Sequence, residues 1–279
     1  MISASAIQRG QGDASMSATR NIKTFWNDQA VEFGASKLAT APDGAYRELE
    51  ISQILQRINN GKSILDVGCG NGYTTIEIAK KRKGCRIDGV DFSSEMIGRA
   101  SRVLGKQSTS IRKRVHFDVA DVRDLDSSEL IGKKKYDYVL SERCIINLTT
   151  WPEQRKGILQ MREKMKRGGR MVFVENTIDG LSRLNAVRKK HGLFAMKTRW
   201  HNRYLKESEL RPFLKRNFVI EEEVNIGSLY YLVSRVVYAK LASMEKKEPS
   251  YAHPINLIAS ELPILGNFSP NFLYVLRKK

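Results

Sequence analysis

The sequence predicts an α/β fold, a doubly wound and mostly parallel sheet with helices on both faces. Three observations predict it. Short apolar runs alternate with stretches of helical spacing through the middle of the chain. One run, Ile64 to Thr75 (ILDVGCGNGYTT), passes from a buried-type strand through glycines at alternate positions into a helix. Acidic side chains, Asp91 foremost, fall at the C-terminal ends of predicted strands, where open parallel sheets bind ligands.

The elements follow in order. Residues 1–20 are polar and small with no apolar h-region, so a flexible start is expected and a secretory signal is not. Asn21 to Ala35 reads as a short amphipathic helix carrying Phe25, Trp26 and Phe33, and Ala45 to Ile58 has helical apolar spacing. Ile64, Leu65 and Val67 end a strand. Gly68, Gly70 and Gly72 form a turn, and Tyr73 to Lys83 reads as a helix. Such a turn should lay backbone N–H groups and a helix N-terminus against a ligand. Arg86 to Asp91 is a second strand, and Ser-Ser-Glu at Ser93 starts a helix to Leu104. Strands are expected from Val115 and from Tyr136. Pro152 to Lys166 reads as a helix stopped by Gly168 and Gly169. Ser228 to Met244 reads as a helix with Leu229, Leu232, Val233, Val236, Val237 and Leu241 on one face.

Composition sets bounds. Three cysteines, Cys69, Cys85 and Cys144, make no metal spacing and suit a reducing compartment. No run reaches the length of a membrane span, so a cytoplasmic protein is expected. The net charge of +18 is diffuse: residues 1–60 are neutral, while residues 61–176 and 177–279 each carry an excess of nine. Lys80–Lys83, Arg112–Arg114 and Lys133–Lys135 fit solvated faces and helix ends. The excess also suits an acidic substrate, nucleic acid or an anionic surface.

The glycines are spaced G-x-G-x-G with an acid two positions before the first, unlike the dinucleotide fingerprint G-x-G-x-x-G. This DVGCGNG stretch resembles the first motif of the class I S-adenosylmethionine-dependent methyltransferases. RIDGVDFSSEMI, VHFDVADVRDL, YDYVLSERCIINL and MKRGGRMVFVEN resemble that family's second to fifth strands, in order. The resemblance implies a seven-stranded sheet whose last strand is antiparallel, with Asn217 to Asn225 sixth and Phe272 to Leu276 seventh. It implies a helical lid over residues 21–60 and a cofactor-binding domain over residues 61–279. Inserts are then expected at 177–215, after the fifth strand, and at 228–262, between the sixth and seventh. It also implies S-adenosylmethionine as cofactor, held by Asp66, Gly68, Gly70, Gly72, Asp91 and Asp121. Asp91 would accept from the ribose hydroxyls, although it could instead cap the following helix. Asp121, beside Val122, would meet the adenine amino group. Phe92 and Met96 would pack on the adenine, and Val122 and Ser141, the latter from the loop facing the substrate, would also bind the cofactor.

The acceptor is less legible. The fourth-strand loop lacks the N/D-P-P-Y/F signature of amide or adenine amine methylation and the Pro-Cys nucleophile for pyrimidine C5. A hydroxyl acceptor needs a general base. His201, within TRWHNRYL, and Glu142 are the candidates, each with a structural alternative. Expected partners are a small-molecule or saccharide acceptor, an acidic one suiting the charge. RNA methylation and a non-catalytic cofactor-binding module remain as alternatives. No structural metal site is visible.

Overall fold

The structure, a computed structural model, describes residues 20–279. The flexible start expected over residues 1–20 therefore lies, Arg20 apart, outside the described residues. Helix α1 covers residues 20–33 and α2 covers Gly44–Leu55. Asp43 caps α2 by accepting from the Tyr46 N–H at 3.1 Å.

The alternating pattern folds as read. In order come β1 (Ser63–Val67), α3 (Tyr73–Lys81), β2 (Arg86–Asp91), α4 (Ser94–Gly105), a turn α5 (Thr109–Arg112) and β3 (Val115–Val119). Then follow β4 (Tyr136–Glu142), α6 (Trp151–Glu163), β5 (Met165–Asn176), α7 (Ile178–Lys190) and α8 (Glu207–Asn217). The chain closes with β6 (Phe218–Val224), the helical segment Ser228–Met244, α11 (Ile255–Glu261) and β7 (Asn271–Lys278). That segment comprises α9 (Ser228–Tyr231), a π-helical stretch Leu232–Val237, and α10 (Tyr238–Met244). The seven strands lie in the order β3-β2-β1-β4-β5-β7-β6. Neighbours among β1 to β5 are parallel, and β7 runs antiparallel to both β5 and β6. Strand order reverses beside β1, so the crevice for a ligand opens at the ends of β1, β2 and β4.

Side-chain alternation along β1 builds two cores. Leu65 and Val67 join Met161, Leu210 and Leu214 on the face covered by α6 and α8. Ile64 joins Ile54 and Ile78 on the face covered by α2 and α3. Asp66, on that second face, is 2% exposed, so its carboxyl is buried and must find a partner.

Two expectations need correction. The helix after β4 ends at Glu163, before the Gly168–Gly169 pair, because the backbone is already pairing at Met165 with Tyr136. The Ser228–Met244 face is also redistributed. Tyr230, Ser234, Val236 and Tyr238 are buried, while Val237 and Leu241 are about half exposed. A π-helical stretch inserts an extra residue into the turn, so the stripe read at 3.6 residues per turn does not continue past it.

Candidate active site

A cavity of about 290 Å³ opens at the C-terminal edge of β1, β2 and β4. Its floor is the turn after β1. Gly68, Gly70 and Gly72 all have positive φ, between 54° and 76°. A Cβ on Gly68 would stand 2.6 Å from the Cys144 side chain, so only glycine lets the two loops close together. Four of the N–H groups expected to face a ligand bond instead within the protein. The N–H groups of Gly68 and Cys69 donate to the Val90 carbonyl at 2.8 and 2.9 Å, and that of Gly72 to the Cys69 carbonyl at 3.0 Å. The Gly70 N–H donates to Asp91 Oδ2 at 2.9 Å. A pyrophosphate would need those donors; a ligand that approaches the turn without phosphate does not.

Two buried carboxyls stand beside the turn. Asp91 accepts from Gly70 and, through Oδ1, from the Ser93 N–H at 2.9 Å. The helix-cap role is taken by Ser93, whose Oγ accepts from the Met96 N–H at 3.1 Å. Asp66 accepts from the Thr75 hydroxyl at 2.5 Å. Burial pushes Asp66 up to about 7, against the Thr75 hydroxyl, and pushes Asp91 up to about 6, against the Ser93 and Gly70 N–H groups. A cation or a pair of hydroxyls placed here relieves that cost. Phe92, Met96 and Val122 add apolar wall, and Asp121 lies at the same end with both oxygens on Arg123, at 2.6 to 3.1 Å.

Ten of the twelve residues singled out from sequence line the cavity: Asp66, Gly68, Gly70, Asp91, Phe92, Met96, Asp121, Val122, Glu142 and His201. Gly72 and Ser141 do not. Gly72 faces the sheet side, where a Cβ would meet Phe117 at 2.7 Å and Ala100 at 2.9 Å; it allows helix and sheet to pack closely. Ser141 is wholly buried behind the wall with its hydroxyl toward Glu175 at 3.5 Å.

Glu142 is held on all sides. Arg47 Nη1 donates to it at 2.9 Å, the Thr74 hydroxyl at 2.9 Å and Arg143 Nη2 at 3.2 Å. Burial raises its pKa, but Arg47 and Arg143 outweigh this and hold it below the ordinary range. A carboxylate so occupied is a poor proton acceptor. His201 differs. It is buried, stacked on Phe25 at 4.3 Å, and among the described residues its Nδ1 has no partner. Burial first, then Arg199, push it down to about 4, so the ring is neutral at physiological pH.

Sequence reading missed Arg47, Lys197, Arg199 and Arg235, all of which line the cavity, as do Arg143, which it offered in the loop after the fourth strand, and Tyr231, which it weighed between pocket and core. Arg47 and Glu50 sit in α2 with the spacing of the apolar face, a charged pair inside a buried stripe, and that was the available signal. Arg143 adopts φ 54°, rare for a side-chain-bearing residue, and lies 3.1 Å from Glu50. Nothing local marks the others, which arrive from the inserts. Among the described residues, Arg47, Arg123, Arg143 and Arg235 each face a carboxylate, whereas Lys197 and Arg199 pair with none. Among the described residues no cluster of His, Cys, Asp and Glu could hold a metal ion.

Comparison with known proteins adds a family. Residues 58–217 match a family model described as a methyltransferase domain. The uncharacterized methyltransferase YdaC of Bacillus subtilis is 29% identical over 40% of this chain and 55% of its own length. Malonyl-[acyl-carrier protein] O-methyltransferase of Halalkalibacterium halodurans is 27% identical over 53% of this chain and 55% of its own. The chain thus spans about half the length of these curated relatives. The N-methyltransferase NodS of Bradyrhizobium japonicum, solved with S-adenosyl-l-homocysteine, shares the fold. It is 14% identical with a TM-score of 0.55, over 92% of this chain and 98% of that one.

Proposed function

The chain belongs to the class I S-adenosylmethionine-dependent methyltransferase family, and from that premise we propose methyl transfer to a hydroxyl oxygen of a small acidic acceptor such as an anionic saccharide. One observation carries the acceptor class: the cavity is polarised. Its inner end holds the buried carboxyls Asp66 and Asp91, and its outer end holds Lys197 and Arg199, cations with no carboxylate partner among the described residues. The inner end suits a cationic cofactor and the outer end an anionic acceptor. Tyr46, Tyr204, Tyr231 and Tyr251, with Asn176 and Asn202, also line the cavity and supply ring faces and amide groups of the kind that bind polyols.

The residues fit the cofactor. Asp66 would face its charged end, Asp91 its ribose hydroxyls, and Phe92, Met96 and Val122 its base. Bound there, S-adenosylmethionine supplies an electrophilic methyl group on a sulfonium. The protein's part is positioning and proton removal. His201 is the proposed base: its neutral imidazole takes the hydroxyl proton as the oxygen attacks. An anionic acceptor seated on Arg199 offsets the smaller of the two causes that depress His201, burial being the larger, and to that extent raises the basicity of the ring. Helix α1 acts as the lid, through Phe25 on His201 and through Trp26 Nε1, which donates to Asn147 Oδ1 at 3.0 Å.

The test is a panel assay with methyl-labelled S-adenosylmethionine. Uronic and phosphorylated sugars are compared with their neutral counterparts, with amines and with RNA. Base-stable label in the acidic hydroxylated compounds is expected. Label confined to amines or to RNA would overturn the acceptor assignment.

A further inference from the structure

The two inserts meet at the mouth of the cavity. Arg188 of α7 donates to the carbonyl of Arg235 and, at 2.9 Å, to that of Phe194, tying the 191–206 loop to the π-helical stretch. Around this junction the surface is apolar. Phe194 is 93% and Trp200 67% exposed on the loop. On the second insert Val237, Leu241 and Met244 follow one another at helical spacing and all stand in solvent, as do Leu257, Ile258 and Leu265 beyond them. Folding gains nothing from leaving so many large apolar side chains on one insert, and such patches mark contact surfaces.

The same region is strongly cationic. From Leu181 to Lys206 there are eight basic side chains and no acidic one. Lys189, Lys190, Lys197 and Arg199 are exposed among the aromatics, and Lys240, Lys246 and Lys247 flank the aliphatic stripe. Glu245 is the single acid between Ser228 and Lys247.

We propose that this face docks on the surface of an anionic lipid bilayer. The charge selects acidic headgroups, and the side chains enter the boundary between headgroup and acyl chain. Trp and Phe suit that boundary, with Lys and Arg reaching outward from it. Nucleic acid would use the cations and stack on Phe194 and Trp200, but aliphatic Val237, Leu241, Met244, Leu257 and Ile258 offer a base no ring face. A second copy of this chain would set like charges against each other. Docking here turns the cavity mouth toward the membrane, where an amphiphilic acceptor would present its polar group. The inference does not rest on methyl transfer.

Flotation of the full chain with phosphatidylcholine vesicles, with and without phosphatidylglycerol, tests it. Binding only to the anionic vesicles is expected, weakening with salt, with a blue shift of tryptophan fluorescence that Trp200→Phe removes. The pair Phe194→Glu and Leu241→Glu, both at exposed positions outside the cavity wall, should lower vesicle affinity at least about tenfold. Its circular dichroism and its calorimetric S-adenosylmethionine affinity should stay unchanged. Absence of binding to anionic vesicles overturns the proposal. So does RNA binding that displaces the vesicles and ignores Leu241→Glu, and so does a dimer that the double variant dissociates while vesicle binding is nil. None of these readouts depends on finding the acceptor, so failure here leaves the methyl-transfer reading standing, and failure there leaves this one.

Discussion

Asp91 is the residue on which the floor of the site turns. Its two oxygens hold the Gly70 and Ser93 N–H groups, so the side chain shapes the turn as well as facing the cavity. Asp91→Ala loses two hydrogen bonds to a charged acceptor, and S-adenosylmethionine affinity should fall roughly 10- to 100-fold, read by calorimetry. An unchanged affinity would remove Asp91 from the cofactor site. His201 makes the opposite prediction. His201→Ala should lower kcat roughly 10²- to 10⁴-fold while leaving cofactor affinity intact. If Glu142→Gln, with its partners retained, were the more damaging change, the proton would be moving elsewhere. Glu142 was readable as an acid at a strand end able to pair with its neighbour Arg143; that Arg47 and Thr74 also occupy it was not, because those partners come from α2 and α3.

At the scale of elements, α1 and the 191–206 loop close on each other through Phe25, Trp26, Trp200 and His201, with ring centroids 4.3 to 5.6 Å apart. The contact joins a helix at the start of the chain to an insert far along it. Trp26→Ala removes the bond to Asn147 and part of this cluster, so the acceptor KM should rise about tenfold, equivalent to about 1.4 kcal/mol, with kcat less affected. A KM that does not move would mean that α1 packs there without closing the site. The second insert shows where periodicity misleads. Its apolar residues were visible, but one π-helical stretch divides them between core and surface.

For the whole molecule, the buried acids set the pH behaviour. Asp66 is raised to about 7, Asp91 to about 6, and Glu50 and Glu175 to about 8, burial being the largest cause in each. A carboxyl raised in the folded state favours folding below its unfolded pKa, near 4, and that contribution is lost as pH rises through the folded value. The free protein's Tm should therefore decline between about pH 5 and 8. His201, depressed to about 4, acts oppositely: its contribution is present above about 6.5 and is lost as pH falls toward 4. A cationic ligand beside Asp66 and Asp91 favours their ionised forms, so cofactor binding should release protons and tighten from pH 6 to 8. Calorimetry in buffers of different ionisation enthalpy reads that release; none detected at pH 6.5 would show that the two acids do not face the bound charge.

Much of this was local and therefore legible. The strand–turn–helix over Ile64 to Thr75, the alternation of β1 to β5 with helices, and the acids Asp66 and Asp91 follow from side-chain size, period and backbone freedom over a few residues. What the linear chain did not contain is the meeting of distant parts. The braced N–H groups of the turn, the lock on Glu142, the burial that depresses His201 and the cationic outer wall each depend on burial and on charges across the fold. Such terms act through space and fall off with distance rather than with sequence separation, so packing alone decides them.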